Sequence, residues 1–144
     1  MKKSNNRELV LELHREIRKL LDQKSNGTIS QKKMPYTVAA CEHHAYHAIG
    51  YYHGKSDQTD FKEIILKKLL ELGPLNKKPI TKGYESSVGH CAENYAATKL
   101  LDDLEHDGFV NCLQLSDIEF SPTFIVKNRS EIPFCNNCQT VYGK

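Results

Sequence analysis

The sequence predicts an α/β domain, and three observations carry that expectation. Apolar residues recur at helical spacing in three separate segments. A stretch rich in tyrosine, threonine, valine and isoleucine lies between the first and second of them, as a β-hairpin would. The third segment is rich in alanine in its first turns, which would let a helix lie close on a sheet.

From Arg7 to about Gln23, Leu9, Val10, Leu13, Ile17, Leu20 and Leu21 recur among Arg, Glu and Lys, the pattern of an amphipathic helix. Residues 24–35 form a polar connector with an Asn26-Gly27 turn pair. We therefore divide the chain into 1–35, helix and connector, and 36–144, the remainder of one compact domain. In residues 36–52, Val38, Cys41, Ala45 and Ile49 would share a helical face. The β-rich composition and the polar break at Glu42-His43-His44 favour two strands instead, 36–41 and 45–51. Neither histidine is a natural choice for the positive φ of a tight hairpin turn.

A second helix is expected over 60–72, capped by Thr59, striped by Phe61, Ile64, Ile65, Leu69 and Leu72, and stopped by Gly73-Pro74. Residues 75–88 read as a loop carrying Lys77, Lys78, Lys82 and Tyr84, and it runs straight into the third helix, about 91–105. There Ala92, Ala96, Ala97, Leu100, Leu101 and Leu104 face inward and Gly108 ends the run. Residues 110–120 alternate weakly and predict a third strand, which Phe124-Ile125-Val126 would extend beyond Pro122; a short helix or turn follows at the last cysteine pair.

At 144 residues and 39% hydrophobic the chain is long enough for one real core. Its net charge of +2 permits a polyanionic partner without demanding one. No apolar run reaches the roughly 20 residues of a membrane span, and no signal-peptide core follows Met1. Five cysteines without a disulfide-like spacing point to a reducing, cytoplasmic setting and to thiols that hold metal.

Two stretches concentrate the chemistry. In Gly89-His90-Cys91-Ala92-Glu93-Asn94 a thiol and a carboxylate stand two residues apart. Within a helix such residues point about 200° apart, but in a first turn both reach a ligand in front of the helix end, where the unpaired N–H groups favour a thiolate. The second stretch is Pro133-Phe134-Cys135-Asn136-Asn137-Cys138. Three thiolates with a glutamate to spare make the pattern of a catalytic zinc, which keeps one position open. A redox pair is disfavoured because no βαβ unit follows the Cys-x-x-Cys. A structural zinc with His90 as fourth ligand stays open as an alternative. His43, His44, His47 and His53 read as solvated strand histidines, Cys41 and Cys112 as buried thiols, and Phe120, Phe124, Phe134 and Tyr84 as core or base-stacking rings.

Cys91-Ala92-Glu93, then a helix, a strand and Cys135-x-x-Cys138, resembles the zinc-dependent cytidine deaminase superfamily, whose signature is His or Cys, one residue, Glu, and later Pro-Cys-x-x-Cys. Phe134 stands here between the proline and the first cysteine of the pair. The resemblance covers about residues 36–138 in element order. It implies a three-layer fold with a mixed sheet, Zn2+ held by Cys91, Cys135 and Cys138 at two helix N-termini, and Glu93 as proton shuttle. The region Gly50-Tyr51-Tyr52-His53-Gly54-Lys55 lacks the Asn and Glu with which enzymes of free cytidine hold ribose. The chain is thus most similar to bacterial toxin-type deaminases, which implies single-stranded DNA or RNA as substrate and, for a toxin, delivery into another cell and an inhibitory partner protein. Tyr84, His90, Asn94, Phe134, Lys77 and Lys78 are the expected substrate contacts. A free-nucleoside deaminase and a non-catalytic zinc-stabilised binding domain are the alternatives.

Overall fold

The computed structural model describes residues 7–109 and 114–144. Its first helix, α1 (Arg7–Ser25), follows the predicted periodicity, with Leu9, Leu13, Ile17 and Leu20 buried. Residues that return every three or four positions form one stripe. This stripe packs on Val38, Ala40, Phe124 and Val126. After a 3-10 turn at Gln31–Lys33 come β1 (Thr37–His43) and β2 (Tyr46–Tyr52), paired antiparallel as the expected hairpin. Their turn is His44-Ala45, and His44 takes φ 54, a left-handed conformation that histidine enters more readily than branched residues do.

The two-residue period of a strand sorts the hairpin between two layers. Val38, Ala40, Ile49 and Tyr51 turn to α1, whereas Ala39, Cys41, Ala48 and Tyr52 face the other way. On that second face lies α3 (Ala92–His106), burying Ala92, Ala96, Ala97, Leu100 and Leu104, with Leu101 only partly buried. The alanines account for half of the close approach. The other half is Gly50, where an added Cβ would sit 2.0 Å from Ala96 N and 2.5 Å from Ala92 O.

Between hairpin and α3, the helix expected over 60–72 is shorter. Asp57, not Thr59, is the capping residue: its carboxylate accepts the Thr59 N–H at 3.0 Å and closes a separate 3-10 turn, Gln58–Asp60. The helix α2 (Glu63–Leu72) starts after Lys62 and buries Ile65, Leu69 and Leu72, while Ile64 stays 47% exposed and so leaves the expected stripe.

The third strand expected over 110–120 is largely corrected. Residues 110–113, with Cys112, lie outside the described residues. Leu115–Asp117 is a 3-10 turn, held by the Gln114 N–H on Asp117 Oδ2 at 2.9 Å, and only β3 (Glu119–Phe120) is extended. The 124–126 segment forms its own strand, β4 (Thr123–Ile125), also against β1. Between them the register slips, from Cys41↔Phe120 to Val38↔Phe124, a one-residue bulge. Ser121 fills it: its N–H donates to Ala40 O and its Oγ accepts the Ala40 N–H, each at 2.9 Å. Pro122, with no N–H to give, falls where none is needed.

A last short strand, β5 (Glu131–Ile132), pairs with β4 and was not foreseen. The sheet order is β2-β1-β4-β5, with β3 also on β1. Every described pairing is antiparallel, so the expected mixed sheet is corrected. The tight turn 126–129 joins β4 to β5, and tight turns connect only antiparallel neighbours. The chain closes with α4 (Asn136–Val141). Among the described residues no helix is long and apolar enough to cross a membrane.

Candidate metal centre

Cys91 is the N-cap of α3, Cys135 the N-cap of α4, and Cys138 the third residue of α4. Two helix starts thus converge, and the three sulfurs lie within 4.8 Å of one another. The Cys91 and Cys135 Sγ atoms are 3.0 Å apart, and the Cys138 N–H points at Cys135 Sγ from 3.5 Å. Cys135 is the acceptor of the trio. Hydrogen bonds from the Cys138 and Cys91 thiols, and then from backbone N–H groups, hold its thiol well below the ordinary range, at about 3. Cys91 and Cys138 shift upward, first through donating to Cys135 and further through burial and the charge of Glu93.

The donor set suits zinc. Bonds of about 2.3 Å at tetrahedral angles place sulfurs roughly 3.8 Å apart, so the cluster needs to open by less than about 1 Å between Cys91 and Cys135. No histidine or carboxylate completes the cluster among the described residues, which leaves a tetrahedral ion one position short of filled. The Cys91, Cys135, Cys138 cluster could therefore hold a metal ion, and zinc is consistent with it.

Two of the three cysteines, Cys91 and Cys135, line a cavity of about 400 Å³, with Cys138 buried behind them. Cys91, Cys135 and Glu93 line it together with His90 and Phe134, so five of the expected residues meet there. Glu93 stands in the first turn of α3 and is only 3% exposed. The floor is the α3 face of the sheet, where Thr37 of β1, Thr123 of β4 and Ile132 of β5 come side by side. Glu85 and Ser86 form one wall, which places the 75–88 loop beside the site.

His90 is not among the cysteine cluster's ligands. Its Nε2 lies 2.7 Å from Asn76 Oδ1, and its ring stacks on Tyr52 with centroids 4.9 Å apart. Asn76 is itself oriented by Ser56, whose N–H donates to Oδ1 and whose carbonyl accepts from Nδ2. The shared Oδ1 is thus an acceptor, and His90 Nε2 donates to it. Burial lowers the His90 pKa and keeps the ring neutral, which makes Nδ1 its acceptor.

The remaining expected contacts do not line the cavity. Asn94 is 1% exposed, and its Oδ1 accepts the Tyr142 hydroxyl at 2.8 Å, tying α3 to the end of α4. Tyr84 meets Thr140 on α4 with its hydroxyl at 3.0 Å. Lys77 and Lys78 are exposed on the loop, Lys78 lying 4.0 Å from Glu85. The histidines of the hairpin form no metal group, and His47 lies between Glu12 and Glu42 at 3.5 and 3.3 Å.

Sequence reasoning missed Thr37, Glu85, Ser86, Thr123, Ile132, Asn136 and Asn137 as cavity residues. Asn137 donates Nδ2 to Ser86 O at 2.7 Å, while its buried Oδ1 has no partner among the described residues. Its place inside Cys135-x-x-Cys138 was the one available signal; the threonines come together only through strand pairing. Comparison of the chain with protein-family models, with curated proteins and with solved structures finds no match.

Proposed function

We propose that this protein is a zinc-dependent deaminase of the cytidine deaminase-like fold that converts cytosine to uracil in single-stranded or flipped-out nucleic acid. The observation that carries this reading is the meeting, at one cavity, of a three-thiol cluster that no other described histidine or carboxylate completes and the buried carboxylate of Glu93. Zinc, when bound by Cys91, Cys135 and Cys138, supplies Lewis acidity that brings the pKa of a water to about 7. Glu93 would take one proton of a water and deliver it to the ring nitrogen of cytosine as the water oxygen bonds to C4. The same carboxylate would then carry the remaining proton of that oxygen, now the C4 hydroxyl, to the amine as the C4–N bond breaks, so that cytosine and water become uracil and ammonia. His90 presents Nδ1 as an acceptor for a donor group of the nucleotide, and Phe134 gives the base an apolar wall. Lys77 and Lys78 stand on the loop that walls the cavity, where the phosphates of flanking nucleotides would pass. The absence of the ribose-holding Asn and Glu after β2 favours polynucleotide over free cytidine.

The experiment is cytosine-to-uracil conversion in a single-stranded oligonucleotide, compared with free cytidine at equal concentration. The oligonucleotide should react much faster, and its rate should fall as salt rises. Glu93→Gln should keep zinc and fold while turnover drops by about 10²–10⁴-fold or more. Wild-type protein that binds zinc yet converts neither substrate would make the domain a zinc-stabilised binding module. Efficient, salt-indifferent conversion of cytidine would make it a nucleoside deaminase.

A further inference from the structure

On the α1 side of the sheet, away from the metal centre, a second cavity of about 370 Å³ is lined by Leu11, His14, Arg15, Arg18 and Arg129. The first four recur at i, i+3, i+4 and i+7, so they form one continuous strip of α1. Arg129 faces them from the turn between β4 and β5. It occupies a position of φ 60, where glycine or asparagine would be at ease, and its N–H closes the turn on Ile125 O at 2.8 Å.

The charges of α1 are sorted. Glu12 and Glu16 reach over β2, where Glu12 meets His47 and Glu16 accepts the Tyr51 hydroxyl. Arg15 and Arg18 share the other flank with Arg129, and no carboxylate lies within ion-pair distance of any of the three among the described residues. Three guanidinium groups around one cavity, with no described carboxylate paired to them, make a positive patch that favours an anion. Guanidinium forks match phosphate oxygens in pairs, as lysine does not.

The groove is also joined to the metal centre. β5 is the edge strand of the sheet, with Ile132 on the floor of the metal-site cavity. Arg129 precedes Ile132 by three residues, at most about 11 Å of extended chain. A strand leaving the metal-site cavity over β5 would therefore meet the arginines on the far side of that edge.

We infer that Arg15, Arg18 and Arg129 form an anchoring site for the phosphodiester backbone of a single-stranded polynucleotide whose target base occupies the metal-site cavity. This rests on the nucleic-acid reading of that cavity, and its test is kept separate from turnover. Fluorescence anisotropy would follow zinc-loaded Glu93→Gln protein binding to single-stranded DNA and RNA oligonucleotides of about four and about sixteen residues, sizes that bracket common single-strand sites. In the same background Arg15→Gln, Arg18→Gln and Arg129→Gln would be combined. These residues are exposed, so the fold should survive, and each single substitution serves as a control.

The triple variant should bind the longer oligonucleotide at least about tenfold more weakly. The slope of log affinity against log salt should shrink by about 2, at about 0.7 per lost single-strand phosphate contact. Binding of the shorter oligonucleotide should not change. Long-oligonucleotide affinity and slope untouched by the triple substitution would overturn the anchoring site while leaving deamination to stand or fall on its own assay. Arginine-dependent binding in a protein without turnover would keep the site and remove the deaminase. Displacement of the oligonucleotide by polyglutamate at matched charge would assign the groove to an acidic protein partner and overturn its assignment to nucleic acid.

Discussion

Cys135 and His90 both border the metal-site cavity, yet their surroundings assign them opposite tasks. Cys135 receives two thiol hydrogen bonds and a backbone N–H, the environment of an anion. His90 is turned to Asn76 and Tyr52 and is kept neutral by burial. Cys135→Ser should therefore reduce zinc from close to one ion per chain to a small fraction, and lower the melting temperature as well. His90→Ala should retain the zinc and weaken substrate binding. Elemental analysis of the two purified variants separates them. Loss of metal from His90→Ala with Glu93→Gln indifferent in turnover would make this a four-ligand structural site. The cysteines and Glu93 were legible in the sequence because spacing inside a single helix turn is local information. The lining threonines and Asn76 were not, since only long-range pairing brings them to the cavity.

Gly50 shows how one strand position sets the place of a whole helix. Its missing Cβ is what permits the backbone of α3, at Ala92 and Ala96, to rest on β2. Gly50→Ala should push the N-terminal half of α3, and Cys91 with it, away from the sheet. An overpacked contact of this kind costs about 1–3 kcal/mol. Urea denaturation should register that loss, and zinc affinity should fall in parallel, although residue 50 touches no metal ligand. An unchanged affinity at reduced stability would mean that α3 yields elsewhere along its length. The alanines of α3 announced a close approach in the sequence, but the glycine that meets them did not, because helix-to-sheet contacts have no period. The same limit explains the sheet. α1 and the hairpin carry their patterns over many residues, and both were read correctly to within a few positions. β3, β4 and β5 have two or three residues each, too few to show an alternation, and Pro122 with the Ser121 bulge interrupts the run that β3 and β4 would otherwise share.

The metal centre is also a seam across the molecule. Cys91 and Cys135 stand 44 residues apart in sequence, and the chain between them contains α3 and the β3–β5 half of the sheet. Besides the sulfurs, hydrogen bonds cross the seam from Tyr142 to Asn94 at 2.8 Å, from Asn137 to Ser86 O at 2.7 Å and between the Tyr84 and Thr140 hydroxyls at 3.0 Å. Among the described residues Asn94 Nδ2 and Asn137 Oδ1 are buried without partners, so these contacts alone leave polar atoms unsatisfied. A covalent-like tie closing a loop of this length removes chain entropy equivalent to about 4 kcal/mol from the unfolded state, if zinc acts as a disulfide would. Chelation with EDTA should accordingly lower the melting temperature by about 10 °C or more. The loss should be local before it is global. Amide hydrogen exchange should speed up first in residues 85–95 and 133–144, where the two helix starts separate, while α1 and the β1–β2 hairpin, which share the other core, keep their protection. A melting temperature indifferent to chelator, or exchange that quickens equally in α1, would show that the thiols do not carry a metal that holds the two halves together.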